Sequence, residues 1–501
     1  MSTRPDRALD STPSAPAVLS ADCLSGQPLE GRAGAISLIH GAPENGVRLS
    51  EVVSALSYAL DITEGQPMGH AVRTTLIGMR IAAQLGLPDD QRSALYYGLL
   101  LKDLGCSSNA SRLATLFGSD DQLLKHAFKL TDWTATSQSA RYAFKYSLPG
   151  KGRLAKAWHM LMLGVREQGS AREMVATRCE RGADIARMLR LPHGSAEAIH
   201  SLDEHWDGSG MPFGLRGSAI PLLGRIVSLA QTVEVFANGF DVATAYEMAR
   251  TRRGRWFDPT LVDSMAAFEF DSAFWGGLRS TAALSLVATI EPEDQVIRCD
   301  SDQLDTVSEA FARVIDAKSP YTSRHSVNVS AIAVDTGRAL GITGDQMHTL
   351  RRAALLHDIG KLGVSNRVLD KPGPLDPDEW DAMRKHTRFT FEILKRVARF
   401  RQFAATAAAH HERLDGSGYH LGLHDDQLGD LARIIAVADV TEAVSADRPY
   451  RAGMAPDEVK TVLRKLVAKR HLCPIATEAL EATFTGLPRE APPGEVTARV
   501  A

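Results

Sequence analysis

Paired cysteines, a surplus of charge of either sign and long apolar runs are all missing from this chain, and each absence excludes something. The five cysteines (Cys23, Cys106, Cys179, Cys299 and Cys473) stand far apart and form no CxxC pair. They offer neither a thiolate metal knuckle nor a disulfide framework, and they fit a reducing, cytoplasmic compartment. With 57 Lys and Arg against 60 Asp and Glu the net charge is −3. A balance so near neutral predicts neither a nucleic-acid polymer nor a membrane as partner. No apolar run reaches the 18 or so residues that a spanning helix needs. The N-terminus has no continuous apolar core before a cleavage-like site, so it does not read as a secretory signal.

What the sequence does have is an internal repeat of long period. His70 and Lys102-Asp103-Leu104-Gly105 pair with His325 and His357-Asp358-Ile359-Gly360 at a separation of 255. Further on, Asp207-Gly208-Ser209-Gly210 pairs with Asp415-Gly416-Ser417-Gly418 at a separation of 208. The difference of 47 marks an insertion in the first copy, between Cys106 and Arg178. The 501 residues therefore divide into two domains of roughly 200, each able to bury its own core. The predicted organisation is a disordered segment over 1–47 and a first domain over 48–268, with its insertion near 110–169. A connecting segment over 269–302, a second domain over 303–485 and a flexible tail over 486–501 complete it. The insertion, polar and aromatic, is read as a helical surface elaboration.

Apolar spacing predicts an all-α fold. Leu304, Val307, Phe311, Val314 and Ile315 keep to one helical face, as do His325, Val329, Ile332 and Thr336. Asp376-Pro377-Asp378-Glu379 is a helix start, with an acid at the cap, Pro at the first position and an acid at the third. The helix after it carries Trp380, Met383, His386, Thr390, Ile393 and Val397 on one face. In the connecting segment, Ala282–Ile290 is apolar and partly β-branched, and could form a short strand.

On these elements seven residues could ligate metal: His325, His357, Asp358, His386, His410, His411 and Asp439. All fall at inward positions or helix ends, where an acid is costly unless paired or bound to a cation. Imidazole and carboxylate without thiolate suit Fe, Mn or Zn. Adjacent His357 and Asp358 would let the carboxylate bridge two ions while the histidine binds one. The first copy keeps only His70 and Asp103 of the seven; the others become Lys102, Arg178, Leu202, Asp203 and Gln231. A Lys and an Arg there would repel a metal, and Lys102 could pair with Asp103 instead. The first domain reads as a pseudoenzyme.

The stretches His357-Asp358-Ile359-Gly360-Lys361, His410-His411-Glu412-Arg413-Leu414-Asp415-Gly416-Ser417-Gly418-Tyr419 and Asp447-Arg448-Pro449-Tyr450-Arg451 resemble the HD-GYP branch of the HD metal-dependent phosphohydrolases. The likeness spans about 304–480, with 49–264 a degenerate copy. It implies tandem HD-type helical domains and a phosphodiesterase that hydrolyses a cyclic dinucleotide, most often cyclic di-GMP, with hydroxide held on metal. It implies the same seven metal ligands, with Lys361 at the scissile phosphate, Arg448 and Arg451 on substrate phosphates, and Gly418 and Tyr419 shaping the mouth. Three-metal members carry a Glu four residues before His325; here Tyr321 stands there, so two divalent ions, Fe or Mn, are expected. The signature triplet ends in His420 rather than Pro, which keeps open a phosphohydrolase of another nucleotide, while the degenerate first copy keeps open a non-catalytic signalling module. Regulation by the first domain is expected; the oligomeric state is open, a homo-oligomer included.

Overall fold

Two short extended segments set the frame. Val47–Arg48 pairs antiparallel with Arg298–Cys299, and each runs directly into a long helix, Leu49–Thr63 and Ser301–Asp316. Apart from this ribbon every regular element among the described residues is a helix. The computed structural model describes residues 47–166, 170–280, 283–322, 324–447 and 451–487. The predicted N-terminal segment and nearly all of the tail lie outside them. No helix among the described residues is long and apolar enough to cross a membrane.

Local chemistry explains the helix starts. Asp300 accepts from the amide of Gln303, whose side chain reaches back to the Asp300 amide. Asp376 and Glu379 form the same reciprocal box, with Pro377 at the first position. The predicted face of Ser301–Asp316 is buried throughout. The Pro377–Leu394 helix behaves differently: its first turns project, leaving Trp380 exposed, and burial begins at His386. The stretch that could form a strand, 282–290, is a helix over Ala283–Thr289. It buries Val287, whose carbonyl accepts from Tyr96 Oη, so packing and not β-branching decides its conformation.

The described residues form one compact unit around a continuous apolar core that draws on both halves. The Leu49–Thr63 helix packs on the 3-10 turn Ile359–Gly363 and on Pro377–Leu394, in the second half. Reciprocally, Ser301–Asp316 packs on Cys106–Asn109 and Ser170–Met188, in the first.

One helix of the insertion is more than the surface elaboration its composition suggested. This helix, Asp121–Leu130, buries Asp121 and Lys125 and reaches into the second half. Asp121 Oδ1 accepts from the Asn366 amide at 2.9 Å, and Oδ2 lies 3.4 Å from Lys318 Nζ, both side chains almost wholly buried. Gln122 Nε2 donates to the carbonyl of Leu362 at 3.1 Å. Burial pushes the Lys318 ammonium down, Asp121 opposing it. Removing one partner of a buried ion pair leaves the other charge uncompensated, so Asp121→Ala should lower the stability of the whole chain by about 3 kcal/mol in urea unfolding. A loss below about 0.5 kcal/mol, that of an ordinary surface change, would contradict this tie between the halves.

Candidate metal centre

Five helix ends and turns converge in the second half. His325 opens the His325–Ala339 helix, and His357-Asp358 follows Gly344–Leu356. His386 lies midway along Pro377–Leu394, His410-His411 follow Arg401–Ala408, and Asp439 lies on Asp430–Ser445. Gly360 makes the closest approach possible: a Cβ there would collide with the carbonyl of His386. Only glycine lets the turn carrying Asp358 sit directly under that helix.

The structure brings all seven predicted residues together. Asp358, 1% exposed, is the hub. Its Oδ2 lies 3.3 Å from His325 Nε2 and 3.3 Å from His357 Nε2. Its Oδ1 lies 3.5 Å from His386 Nε2 and 3.6 Å from His410 Nε2. Asp439 Oδ1 stands 3.3 Å from His325 Nε2, and its Oδ2 3.8 Å from His411 Nδ1. The donors therefore fall into two groups, His325/His357/Asp439 and His386/His410/His411, with Asp358 facing both.

The rest of the lining aims these donors inward. Nδ1 of His357, His386 and His410 each bonds a carbonyl three residues earlier, of Ala354, Met383 and Ala407, at 2.7 Å. His325 Nδ1 is held by Glu442 Oε2 at 2.6 Å. Such partners fix the tautomer that presents Nε2. Nε2 of His325 and of His357 and Oδ1 of Asp358 are buried with no hydrogen-bond partner. Orphaned acceptors at one point, in a nitrogen-and-oxygen donor set, fit divalent cations.

Electrostatics agrees. Burial would raise the Asp358 carboxyl, but Lys361, His357 and His325 outweigh it and hold it well below the usual range. Asp439 is likewise held low against burial, by His325 and His411. Burial disfavours a charged His325, yet Asp358, Asp439 and Glu442 together push its pKa well up, the mark of a pocket that calls for positive charge. Burial, with His410 alongside, pushes His386 down to about 3 and His411 well below its ordinary value. Ionised carboxylates and neutral imidazoles are the ligating forms, and a cation bound beside His325 would take the place of its proton.

Lys361 Nζ lies 2.5 Å from Asp358 Oδ2, its side chain 20% exposed, on the open side of the site. The Tyr419 ring lies 4.9 Å from that of His411, beneath the Arg384 guanidinium. Gly418 belongs to the loop carrying Tyr419, and a Cβ there would strike the backbone of Glu412 and Arg413. Arg451 donates to the carbonyls of Ala443 and Val444 at the end of the Asp430–Ser445 helix. Arg448 lies outside the described residues. The motif reading assigned neither of two acids its positioning role. Glu442 orients His325, while Glu412 accepts from the amides of Leu421 and Leu423 at 2.7 and 2.9 Å and so shapes the loop. The acid inside the motif His410-His411-Glu412 was the available signal for the second.

In the first half the space around Asp103 and His70 is filled from within. Lys102 pairs with Asp103 and lies 3.0 Å from His70 Nε2; Lys129, from the insertion, stands 3.4 Å from Asp103 and 2.9 Å from Glu64. Arg178 pairs with Asp203. Burial and Lys102 push His70 down to about 4, and Lys129 and Lys125 hold Glu64 at about 2 against burial.

Several known proteins resemble this chain. The HD domain family matches residues 166–261 and 309–472. The 3'3'-cGAMP-specific phosphodiesterase 3 of Vibrio cholerae is 41% identical over 84% of this chain and 92% of its own length. The crystal structure of a cyclic GMP-AMP specific phosphodiesterase of that organism, V-cGAP3, aligns with a TM-score of 0.59 and 37% identity, covering 88% of this chain and 99% of that one. A cyclic di-GMP phosphodiesterase of Thermotoga maritima is 36% identical over 30% of this chain and 41% of its own length.

If Asp358 serves both donor groups, its loss should cost more metal than the loss of either group. After loading with Mn(II) and desalting, Asp358→Ala should retain almost none by elemental analysis, and His386→Ala about half of the wild-type content, as a two-metal site requires. Equal retention in wild type and Asp358→Ala would contradict the assignment.

Proposed function

The chain belongs to the HD domain family, in its HD-GYP branch, and we propose that within it this protein is a metal-dependent phosphodiesterase of a cyclic dinucleotide, 3'3'-cGAMP foremost. The observation that carries the reading is Asp358 poised between two sets of inward donors, with a lysine on the open side. The motifs alone favoured cyclic di-GMP. The choice of 3'3'-cGAMP is supported by a relative specific for it that aligns along 92% of its length, against 41% for the cyclic di-GMP enzyme of T. maritima.

Two bound divalent cations would supply Lewis acidity, lowering the pKa of a water and offsetting charge on the phosphoryl oxygens. The seven ligands proposed from the sequence would hold them, Fe or Mn by donor type. The chain's own residues do the rest. Lys361 presents an ammonium where the scissile phosphate enters and charge develops. Burial, then Asp358 and Asp439, push the Tyr419 phenol up, so it stays protonated and serves as a hydrogen-bond donor at the mouth. Arg451 and Arg448 are proposed to hold the second phosphate. Glu412, by fixing the loop from its root, keeps Tyr419 over His411.

The first half is proposed as a duplicate that has lost this chemistry, with the domain limits read from the sequence. Three parallels support it. Glu204 accepts from the amides of Phe213 and Leu215 as Glu412 does from Leu421 and Leu423. His70 is held by Glu234 as His325 is by Glu442. A Cβ on Gly105 would strike the Arg178 carbonyl, as one on Gly360 would strike that of His386. Through its packing on the turn that bears Lys361, this half is proposed to steady the active one.

Metal-loaded protein should linearise 3'3'-cGAMP faster than cyclic di-GMP, read by chromatography of the products. Lys361→Met should keep its metal and lose roughly 10²–10³ in kcat, the scale of one preorganised donor. Metal-replete wild type that turns over neither nucleotide would overturn the proposal.

A further inference from the structure

The near-neutral whole hides one strongly unbalanced stretch. Residues 133–166 contain six Lys or Arg (Arg141, Lys145, Lys151, Arg153, Lys156 and Arg166) and no Asp or Glu, where the chain average would place about four acids. They form a helical hairpin, Thr136–Tyr146 and Arg153–Arg166, within the insertion. Its inner side is tied down: Tyr142 Oη donates to the Leu124 carbonyl at 2.9 Å, and His159 Nε2 lies 2.7 Å from that of Leu116. The outer side is bare. Leu154, Trp158 and Leu161, spaced to share one face of the second helix, are 88%, 64% and 57% exposed. Arg141, Lys145, Lys151 and Arg153 are exposed around them, and among the described residues none has a carboxylate partner.

Exposed leucine and tryptophan on a helix flanked by unpaired cations is the pattern of a segment that lies in a bilayer interface, its apolar edge among the acyl chains and its cations at anionic headgroups. We propose that this hairpin docks the protein on an anionic phospholipid surface. The occupant follows from charge. A second copy placed symmetrically on this face would set like charges opposite one another, which costs association. An anionic bilayer satisfies the cations and the apolar stripe together. The chain-wide balance that argued against a membrane partner averages over this patch. The surface lies on the insertion, and the docking does not depend on turnover.

Full-length protein is sedimented with vesicles of phosphatidylcholine alone or mixed with phosphatidylglycerol. It should co-sediment with the mixed vesicles only and be released by raised salt. Leu154→Ser with Trp158→Ser, and separately Lys145→Glu with Arg153→Glu, should each cut partitioning by about tenfold or more while nucleotide turnover stays at the wild-type rate. The turnover control separates this from the enzymatic reading, and a far-ultraviolet circular dichroism spectrum matching wild type serves if no turnover is found. Three results would overturn the proposal: no binding of wild type to mixed vesicles, equal binding by both double variants, or a stripe whose loss abolishes only self-association in sedimentation velocity.

Discussion

A carboxylate at the centre of a protein must be compensated, and Asp358 imposes that requirement on everything around it. At 1% exposure it has lost its water, and the histidines about it cannot all carry protons, because burial and their mutual proximity keep His386 and His411 neutral. Lys361 supplies one positive charge from the open side. The remaining deficit, with Asp439 and Glu442 added, is what divalent cations supply. The helix starts, the glycine that brings the Asp358 turn under His386 and the carbonyls that turn each imidazole inward serve that one demand.

The first half meets the same demand differently. Asp103 is as buried as Asp358, but its compensation is covalently part of the chain: Lys102 beside it and Lys129 delivered by the insertion. An ammonium satisfies the carboxylate and His70 at once, and the fold keeps its shape without an external ion. Such a half cannot release its charge, so it is suited to bearing load. It does so where Asp121 and Gln122 grip the segment 362–366 just beyond Lys361.

Much of this was readable in the sequence where the signal is local. The capping box at Asp376, the apolar face of Ser301–Asp316 and the inward placing of His325 follow from spacing and side-chain chemistry. Even the pairing of Lys102 with Asp103 could be read, since the two are adjacent. What escaped depends on partners far away in the chain. Asp121 and Lys318 are 197 residues apart, and neither looks buried in its own context. Ala283–Thr289 is a helix because Val287 packs within the core, which its composition does not announce. Glu442 could be seen as an acid near the site, but its role as the partner of His325 required the helices to be brought together.

If one half is compensated by metal and the other by its own lysines, anomalous scattering from metal-loaded crystals will distinguish them. The account predicts two peaks, both beside Asp358 and within ligand distance of the two histidine groups, with none beside Asp103. A peak between Asp103 and His70, with Lys102 displaced, or a loaded crystal with no peak at Asp358, would contradict it.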